Sequence, residues 1–378
     1  MTEHTEFFRR AIDLNRYSNG VAIRIIKAYN DVIIEATNQL ATLDPESITA
    51  YRLRTILVQL KESLNTWAGD STLLMTEELQ GLAILERDFM LQQLEAIRPP
   101  GAETIVRSVE ISPDFAKAVV TTDPTSLDII SLSDDLPGAV RTFAQITVAD
   151  GTTLTLPNGE IIRNAFNNMT TNQAQIFSQT IRTGLLMGDS VETIVRRLKG
   201  KLQEGSRGTI DQLAQKGGVV TVKPTHQIRT IVRTSVTQVT DAAREEVALA
   251  NSDITEKYIY RALLDSRTTA LCRSLDGNIY KWGEGPVPPL HWNCRSIRVA
   301  LIKGAEEIQK SRFTDYATWL EKNPNEKLKV FKSPKRVEFY EYLSKKYGSK
   351  DALRRFVRSD GSQLTLKQLA ESYPDARI

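Results

Sequence analysis

The chain has 378 residues, which is enough for two or three domains, and its 41% hydrophobic and 25% charged residues are ordinary for a globular protein. A formal net charge of +3 is too small to indicate a nucleic-acid partner by itself. No run of about twenty apolar residues occurs, and the N-terminus has early acidic residues and no long apolar core. We therefore expect neither a membrane span nor a signal peptide, and two cysteines suggest a reducing compartment.

The first hundred residues have the spacing of amphipathic helices. Apolar residues recur at three- and four-residue steps from Ala22 to Leu40 and again from Leu53 to Trp67. Gly20 and residues 69–71 predict breaks, Asp44-Pro45 predicts a helix start, and Arg98-Pro-Pro-Gly101 predicts an end. We predict that residues 1–100 form a helical bundle or arm of three long helices.

Residues 101–168 have no such period. Two short β-rich runs at 146–148 and 154–156 flank Asp150-Gly151 and are followed by Pro157-Asn158-Gly159. This pattern predicts a β-hairpin and then a turn, either as an inserted element or within a linker.

The segment 169–302 is predicted as one core region that ends in a small β module at 256–301. Helices are predicted at 170–187 and from Asp189, a short strand at 219–222, and a long helix from Pro224 to about Ala250. Arg229, Arg233 and Arg244 are predicted to form a basic edge on this long helix, with Arg233 a candidate partner for Asp265 or Asp276. Strands are predicted at 257–264, 279–282 and 297–301, with a turn at Asp276-Gly277-Asn278 and a stiff Gly/Pro loop at 283–289. The fold class is therefore α+β: a mainly helical N-terminal region, and helices around a small β-rich module that its loops lock together.

The polar residues of the module allow three interpretations. Cys272, His291 and Cys294 offer three good zinc ligands where a structural site needs four, so Asp265 or Asp276 would have to complete it. The same thiols with His291 and an Asp make a nominal thiol triad, but no glycine-rich elbow or helix start marks either thiol as activated. We favour a third interpretation, in which Arg267 and Arg295 pair with Asp265 or Asp276 and the cysteines are small core residues. A Cys272–Cys294 disulfide is a further alternative that we do not favour, because two cysteines suggest a reducing compartment.

The order of motifs in this stretch resembles the Mu F-like minor head protein family of tailed phages. The motifs are D-x-R-T at Asp265, L-D-G ending at Gly277, and P-x-x-H-x-N-C-R from Pro288 through Asn293 to Arg295. Similar motifs flank them, around Arg233 and Trp319 and at 361–366. The chain departs from the family at Thr269 and Ser296, where many members have cysteines, and at Trp292, where they have proline. Two of the family's metal thiols are therefore missing.

The resemblance implies a non-enzymatic, low-copy assembly protein that associates with the portal protein inside the phage head. Its other partners would be major capsid or scaffold proteins and packaged DNA, and the chain would be in the host cytoplasm during assembly. Ejection with the DNA is left open, and no cofactor is expected unless zinc binds. An enzyme is poorly supported, because P-loop, HExxH and GxSxG motifs are absent.

Two other functions remain as alternatives. One is a metal-dependent or thiol hydrolase that uses His291 with Cys272 or Cys294. The other is a DNA-binding module that uses the C-terminal segment 303–378, predicted to be helical, in which 17 Lys+Arg stand against 11 Asp+Glu.

Overall fold

The computed structural model describes residues 4–43, 50–98, 105–113, 115–120, 156–200, 218–359 and 361–376. These residues form helices and one small antiparallel sheet, which confirms the predicted α+β class and its mainly helical character. No helix in these ranges is long and apolar enough to cross a membrane.

Two long helices form the N-terminal region, α1 (His4–Ala41) and α2 (Ala50–Ile97). The predicted breaks at Gly20 and at 69–71 are wrong, because both positions lie inside continuous helices. A glycine inside a helix costs about 1 kcal/mol relative to alanine, and burial of neighbours such as Ala22 and Ala68 outweighs this cost. The predicted start at Asp44-Pro45 lies outside the described residues.

Four further helices precede the sheet: α3 (Phe115–Val120), α4 (Ile162–Leu186), α5 (Val191–Lys199) and α6 (Val222–Ala250). The predicted strand at 219–222 is wrong. Residues 219–221 form a turn in which Thr221 donates its hydroxyl to the Gly218 carbonyl at 3.0 Å, and α6 begins at Val222. The turn at Pro157-Asn158-Gly159 is present, whereas the strands predicted at 146–148 and 154–156 lie outside the described residues except for Leu156, which is not in a strand.

One hydrophobic core joins α1, α2, α4, α5 and α6. At its centre Tyr29, Trp67 and Phe166 pack edge to face, with ring centroids 5.1 and 5.5 Å apart. The Tyr29 hydroxyl donates to the Val220 carbonyl at 2.6 Å, and the Trp67 ring donates to the Ile25 carbonyl at 3.1 Å. The predicted helical stripes are thus largely buried within the chain, and the division into domains at 100 and 169 remains a prediction.

The sheet has three short strands, β1 (Lys257–Arg261), β2 (Ile279–Lys281) and β3 (Ile297–Leu301), in the order β2-β1-β3. β1 ends three residues earlier than predicted, because the Ala262 amide leaves the ladder and donates to the Asp276 carboxylate at 2.7 Å. An unpredicted helix, α7 (Ala270–Leu275), lies between β1 and β2. Thr269 caps it by accepting from the Cys272 amide.

The C-terminal segment consists of short helices that form a hydrophobic core of their own and pack against the module. They are α8 (Glu306–Lys310), α9 (Tyr316–Lys322), α10 (Lys327–Phe331), α11 (Pro334–Tyr347), α12 (Ser349–Arg354) and α13 (Leu366–Ser372). α10 and α12 were not predicted. Arg273 of α7 donates to the Val330 carbonyl at 3.1 Å, so this core is attached to the module through buried polar contacts as well as apolar ones.

Candidate functional site

Two thiols and one imidazole meet at the centre of the β module. Cys272 lies in the first turn of α7, and His291 and Cys294 lie on the loop between β2 and β3. The Cys272 sulfur is 3.2 Å from His291 Nε2 and 3.9 Å from the Cys294 sulfur. Both thiols are buried, and the ligand atoms of all three residues lie within 4.8 Å of one another.

The glycine- and proline-rich part of the loop is held close to the sheet. Gly285 has φ of +80°, and a Cβ there would be 2.6 Å from the Tyr280 ring. The Tyr258 hydroxyl is 2.9 Å from the carbonyls of both Glu284 and Pro286. Only glycine fits this close approach with positive φ, which explains why the loop carries glycine at this point.

The second half of the loop is fixed by α6. Asn293 adopts a left-handed conformation with φ of 58°, which asparagine tolerates better than most residues. Its amide N–H donates to the Thr234 hydroxyl at 3.1 Å, and its side-chain amide donates to the Thr230 hydroxyl at 3.1 Å. The Thr237 hydroxyl donates to the Cys294 carbonyl at 3.1 Å. Three threonines of one helix therefore position a predicted site residue and the neighbouring thiol.

Contacts between the thiols and the imidazole set their protonation. A hydrogen bond from the Cys294 thiol lowers the pKa of Cys272; burial opposes this, and His291 lowers it further. Burial acts to lower the pKa of His291, but its hydrogen bond with Cys272 outweighs that effect and the net pKa is raised. The Cys272 hydrogen bond and burial both raise the pKa of Cys294. These contacts therefore stabilise negative charge on Cys272 and positive charge on His291 against the effect of burial.

One feature of the structure agrees with the thiol-triad interpretation, and two features contradict it. Contrary to the expectation from sequence, Cys272 does lie at a helix start. However, His291 Nδ1 faces the Trp292 carbonyl at 2.9 Å instead of a carboxylate that could orient it as a base. The adjoining cavity, lined by Thr269, Cys272, His291 and Ser296, has a volume of about 20 Å³, which is room for a water molecule and not for a substrate.

The donor set fits a zinc ion. Thiolate sulfur and imidazole nitrogen are preferred zinc ligands, and Nδ1 bonded to a carbonyl leaves Nε2 as the atom that faces the sulfur. Neither carboxylate suggested as a fourth ligand belongs to the cluster within the described residues. The three residues would hold the ion and supply structural cross-linking between α7 and the loop.

Of the two aspartates predicted to pair with arginines of the module, Asp265 has the predicted partners Arg295 and Arg267. Asp265 accepts from both terminal nitrogens of Arg295, at 2.6 and 2.8 Å. Arg267 is mostly exposed and contacts Asp265 at 3.4 Å. Burial would raise the pKa of Asp265, but the hydrogen bonds and charge of Arg295 lower it overall.

Asp276 has different partners from those predicted. It accepts from the amides of Ala262 and Tyr316, both at 2.7 Å, and lies 3.5 Å from Arg261. Burial raises the pKa of Asp276 against the opposing charge of Arg261. The next residue, Gly277, has a φ of +73°, and its amide N–H donates to the Tyr260 carbonyl at 2.8 Å. Asp276 therefore joins the sheet, α7 and the C-terminal helices.

The predicted basic edge on α6 is wrong. Arg244 is buried and donates twice to Glu86 of α2, at 2.6 and 2.9 Å. Arg10 of α1 donates to the same carboxylate at 2.7 Å. Arg233 donates to Asn19 of α1 at 3.0 Å. These arginines connect helices instead of forming a charged surface.

Sequence reasoning missed the most buried charge of the module, Arg298. It lies in β3 and donates to Asp241 at 3.0 and 2.5 Å and to Glu245 at 2.9 and 3.0 Å. Its guanidinium lies 5.0 Å from the Tyr258 ring centroid and 4.8 Å from that of Trp282. The available signal was one charged residue within a strand of otherwise apolar residues.

The outer side of the loop lines an open cleft of about 810 Å³ between α4 and α6. Trp292 and Asn293 form one end, Lys223 and His226 lie along α6, and Glu160 lies on the other side. The two residues between His291 and Cys294 therefore face this cleft.

The region that contains this site is similar to a known protein family. Residues 175–299 match the family model described as Phage Mu protein F like protein. The matched range is about a third of the chain and contains Cys272, His291 and Cys294 as well as the Asp265–Arg295 pair and the Arg298 cluster. The resemblance to the Mu F-like head morphogenesis family is thereby confirmed over this range, and a structural role in phage head morphogenesis is supported. No curated protein and no solved structure matches the chain.

Proposed function

We propose that this protein is a non-enzymatic minor head protein that associates with the portal protein inside the phage head. The match of residues 175–299 to the Phage Mu protein F like family carries this proposal. The protein would meet its partners in the host cytoplasm during assembly and remain as a virion component. It would act by binding and would need no reaction chemistry.

The architecture supports a binding role. The module is fixed by the buried Arg298 cluster and by the Asp265–Arg295 pair, which together leave little freedom in its loops. Such a locked module can hold the long helices in one orientation for a partner. We infer that the helices, not the module, form the docking surface.

The exposed side of α2 is the surface we assign to the portal. Tyr51, Val58 and Leu73 are large apolar residues exposed on it, and Leu73 is 60% exposed. Val58 and Leu73 are fifteen residues apart, so at 3.6 residues per turn they point within about a sixth of a turn of each other. Leu74, the next residue in the chain, lines a groove between α1 and α2 together with Trp67. Exposed apolar residues along one side of a helix are typical of a protein-binding surface.

The C-terminal segment is less suited to be the main interface with packaged DNA. Part of its positive charge is neutralised locally, as Lys327 pairs with Glu341 at 2.9 Å and Lys329 with Glu326 at 2.7 Å. Exposed pairs of this kind lower the net field that a phosphate backbone would meet. Contact with DNA would therefore be secondary to docking on the portal.

The test is co-expression with the portal protein of the same phage or prophage, followed by size-exclusion chromatography. The wild-type chain is expected to co-elute with the portal. The double variant Val58→Glu with Leu73→Glu is expected to elute alone with an unchanged melting temperature, because both side chains are exposed. Leu328→Glu, at a comparably exposed residue of α10, is the control and should still co-elute. A wild-type chain that elutes alone would contradict portal association, and a double variant that co-elutes would contradict the assigned surface.

A further inference from the structure

We propose that Cys272, His291 and Cys294 hold one zinc ion through three protein ligands, and that an exchangeable water molecule beside Thr269 and Ser296 takes the fourth position. The geometry of the three side chains carries this inference. It does not depend on portal docking, which uses a different surface.

The three donor atoms lie within 4.8 Å of one another, close enough for one tetrahedral ion to bind all three. Zinc–sulfur and zinc–nitrogen bonds of about 2.3 and 2.0 Å place two sulfurs about 3.8 Å apart and a sulfur about 3.6 Å from a nitrogen. The observed separations are 3.9 Å between Cys272 and Cys294 and 3.2 Å between Cys272 and His291. Small side-chain adjustments would bring all three donors onto one ion. A disulfide, in contrast, would require the sulfurs to approach to about 2.05 Å.

The surroundings of the donors suit bound zinc. The buried Tyr260 hydroxyl donates to the Cys272 sulfur at 3.3 Å, which would stabilise the negative charge of a coordinated thiolate. The Trp292 carbonyl accepts from His291 Nδ1 at 2.9 Å and so fixes the ring orientation. Both thiols are buried and therefore protected from competing ligands in solvent.

The fourth position is open because of this chain's own residues. The Thr269 hydroxyl lies 2.9 Å from His291 Nε2, at the side of the cluster where a fourth ligand would approach. Thr269 and Ser296 line a cavity of about 20 Å³ together with Cys272 and His291, and this volume is enough for one water. Asp265 is engaged by Arg295 and Asp276 by two backbone amides, so neither carboxylate is available. A neutral hydroxyl is a weak zinc ligand, which leaves the position to water.

The ion would control the shape of the neighbouring cleft. His291 and Cys294 flank Trp292 and Asn293, which form one end of the 810 Å³ cleft. Zinc would tie this loop to α7 through Cys272. An open fourth position also makes the ion easier to exchange than in a closed four-ligand site, because a chelator can enter by replacing the water.

The experiment measures metal content, coordination and exchange on the full chain. Protein purified without chelator and equilibrated with zinc should contain about one zinc per chain by mass spectrometry. Cobalt substitution should give the intense visible bands of a tetrahedral site with thiolate charge transfer. Cys272→Ser and Cys294→Ser should each lose the charge-transfer band in proportion to the thiolate removed.

Thr269→Cys tests the fourth position. The added thiol should replace the water, strengthen the charge-transfer band and slow zinc transfer to a chromogenic chelator by about tenfold or more. Ser274→Cys adds a thiol to the same helix, but its side chain points back to the Leu271 carbonyl, so it should change neither quantity. Zinc content near zero after equilibration, or a Cys272–Cys294 disulfide in the native protein, would overturn the proposal. An unchanged release rate in Thr269→Cys would overturn the assignment of the fourth position.

Discussion

Arg298 is the residue whose replacement should destabilise the module most. It is fully buried, donates four hydrogen bonds to two carboxylates and lies over two aromatic rings. Arg298→Met keeps most of the side-chain volume but leaves Asp241 and Glu245 without their counter-ion. Breaking a buried ion pair from one side costs about 3–5 kcal/mol, because the remaining charge is neither solvated nor paired.

The assay is urea unfolding followed by far-ultraviolet circular dichroism. With a denaturant slope of about 3 kcal/mol/M, the predicted loss moves the urea midpoint down by roughly 1–1.7 M. Arg267→Met is the matched control, since the Arg267 side chain is 76% exposed and its ion pair with Asp265 has a distance of 3.4 Å. It should change the free energy of unfolding by no more than about 0.5 kcal/mol.

In the Arg298→Met variant, the effect of the unpaired carboxylates can be separated from the effect of lost packing. Adding Asp241→Asn and Glu245→Gln to Arg298→Met removes the unpaired charges and should restore part of the stability. A single Arg298→Met variant within about 1 kcal/mol of the wild type would refute the reasoning. So would a triple variant that is less stable than the single one.

Two further predictions concern the loops of the module. Because Arg295 outweighs burial and lowers the pKa of Asp265, the pair stabilises the fold above the unfolded-state pKa of about 4 and loses this effect as the pH falls through the lower folded-state pKa. Arg295→Gln should therefore be less stable than the wild type by about 1 kcal/mol at pH 7 and nearly equal to it at about pH 2, as measured by urea midpoints; a difference that persists at low pH would contradict this. Gly285→Ala should destabilise more than Gly304→Ala, since both have φ near +80° but only a Cβ at Gly285 meets the Tyr280 ring, at 2.6 Å. Equal melting temperatures for the two variants would show that the close approach is unimportant.

Local sequence patterns predicted the parts of the fold that depend on local causes. The bounds of β3 and the approximate ends of α6 could be predicted, because alternation, turn residues and proline determine secondary structure within a few positions. Gly20 and Gly69 were misread as breaks, because the pattern does not show how strongly their neighbours are buried. α7 was missed because six residues are too few to show a helical period.

The candidate site shows more clearly that local sequence patterns cannot predict contacts between distant residues. The residue types that meet in the module were identifiable, since thiols, an imidazole and charged residues cluster in one stretch. Their pairing was not, because the partners of Asp265 and Asp276 are chosen by the path of the chain over tens of residues. Asp276 binds the Tyr316 amide forty residues away, and Arg244 binds Glu86 across 158 residues. No local spacing carries that information.

The proposed role as a structural component of the phage head is tested most directly by mass spectrometry of purified, DNA-filled heads from the phage or induced prophage that encodes the protein. We expect peptides of this chain in these heads at a low copy number comparable to that of the portal protein. Heads that contain the portal but none of this chain, with the protein found only in the soluble fraction of the lysate, would contradict it.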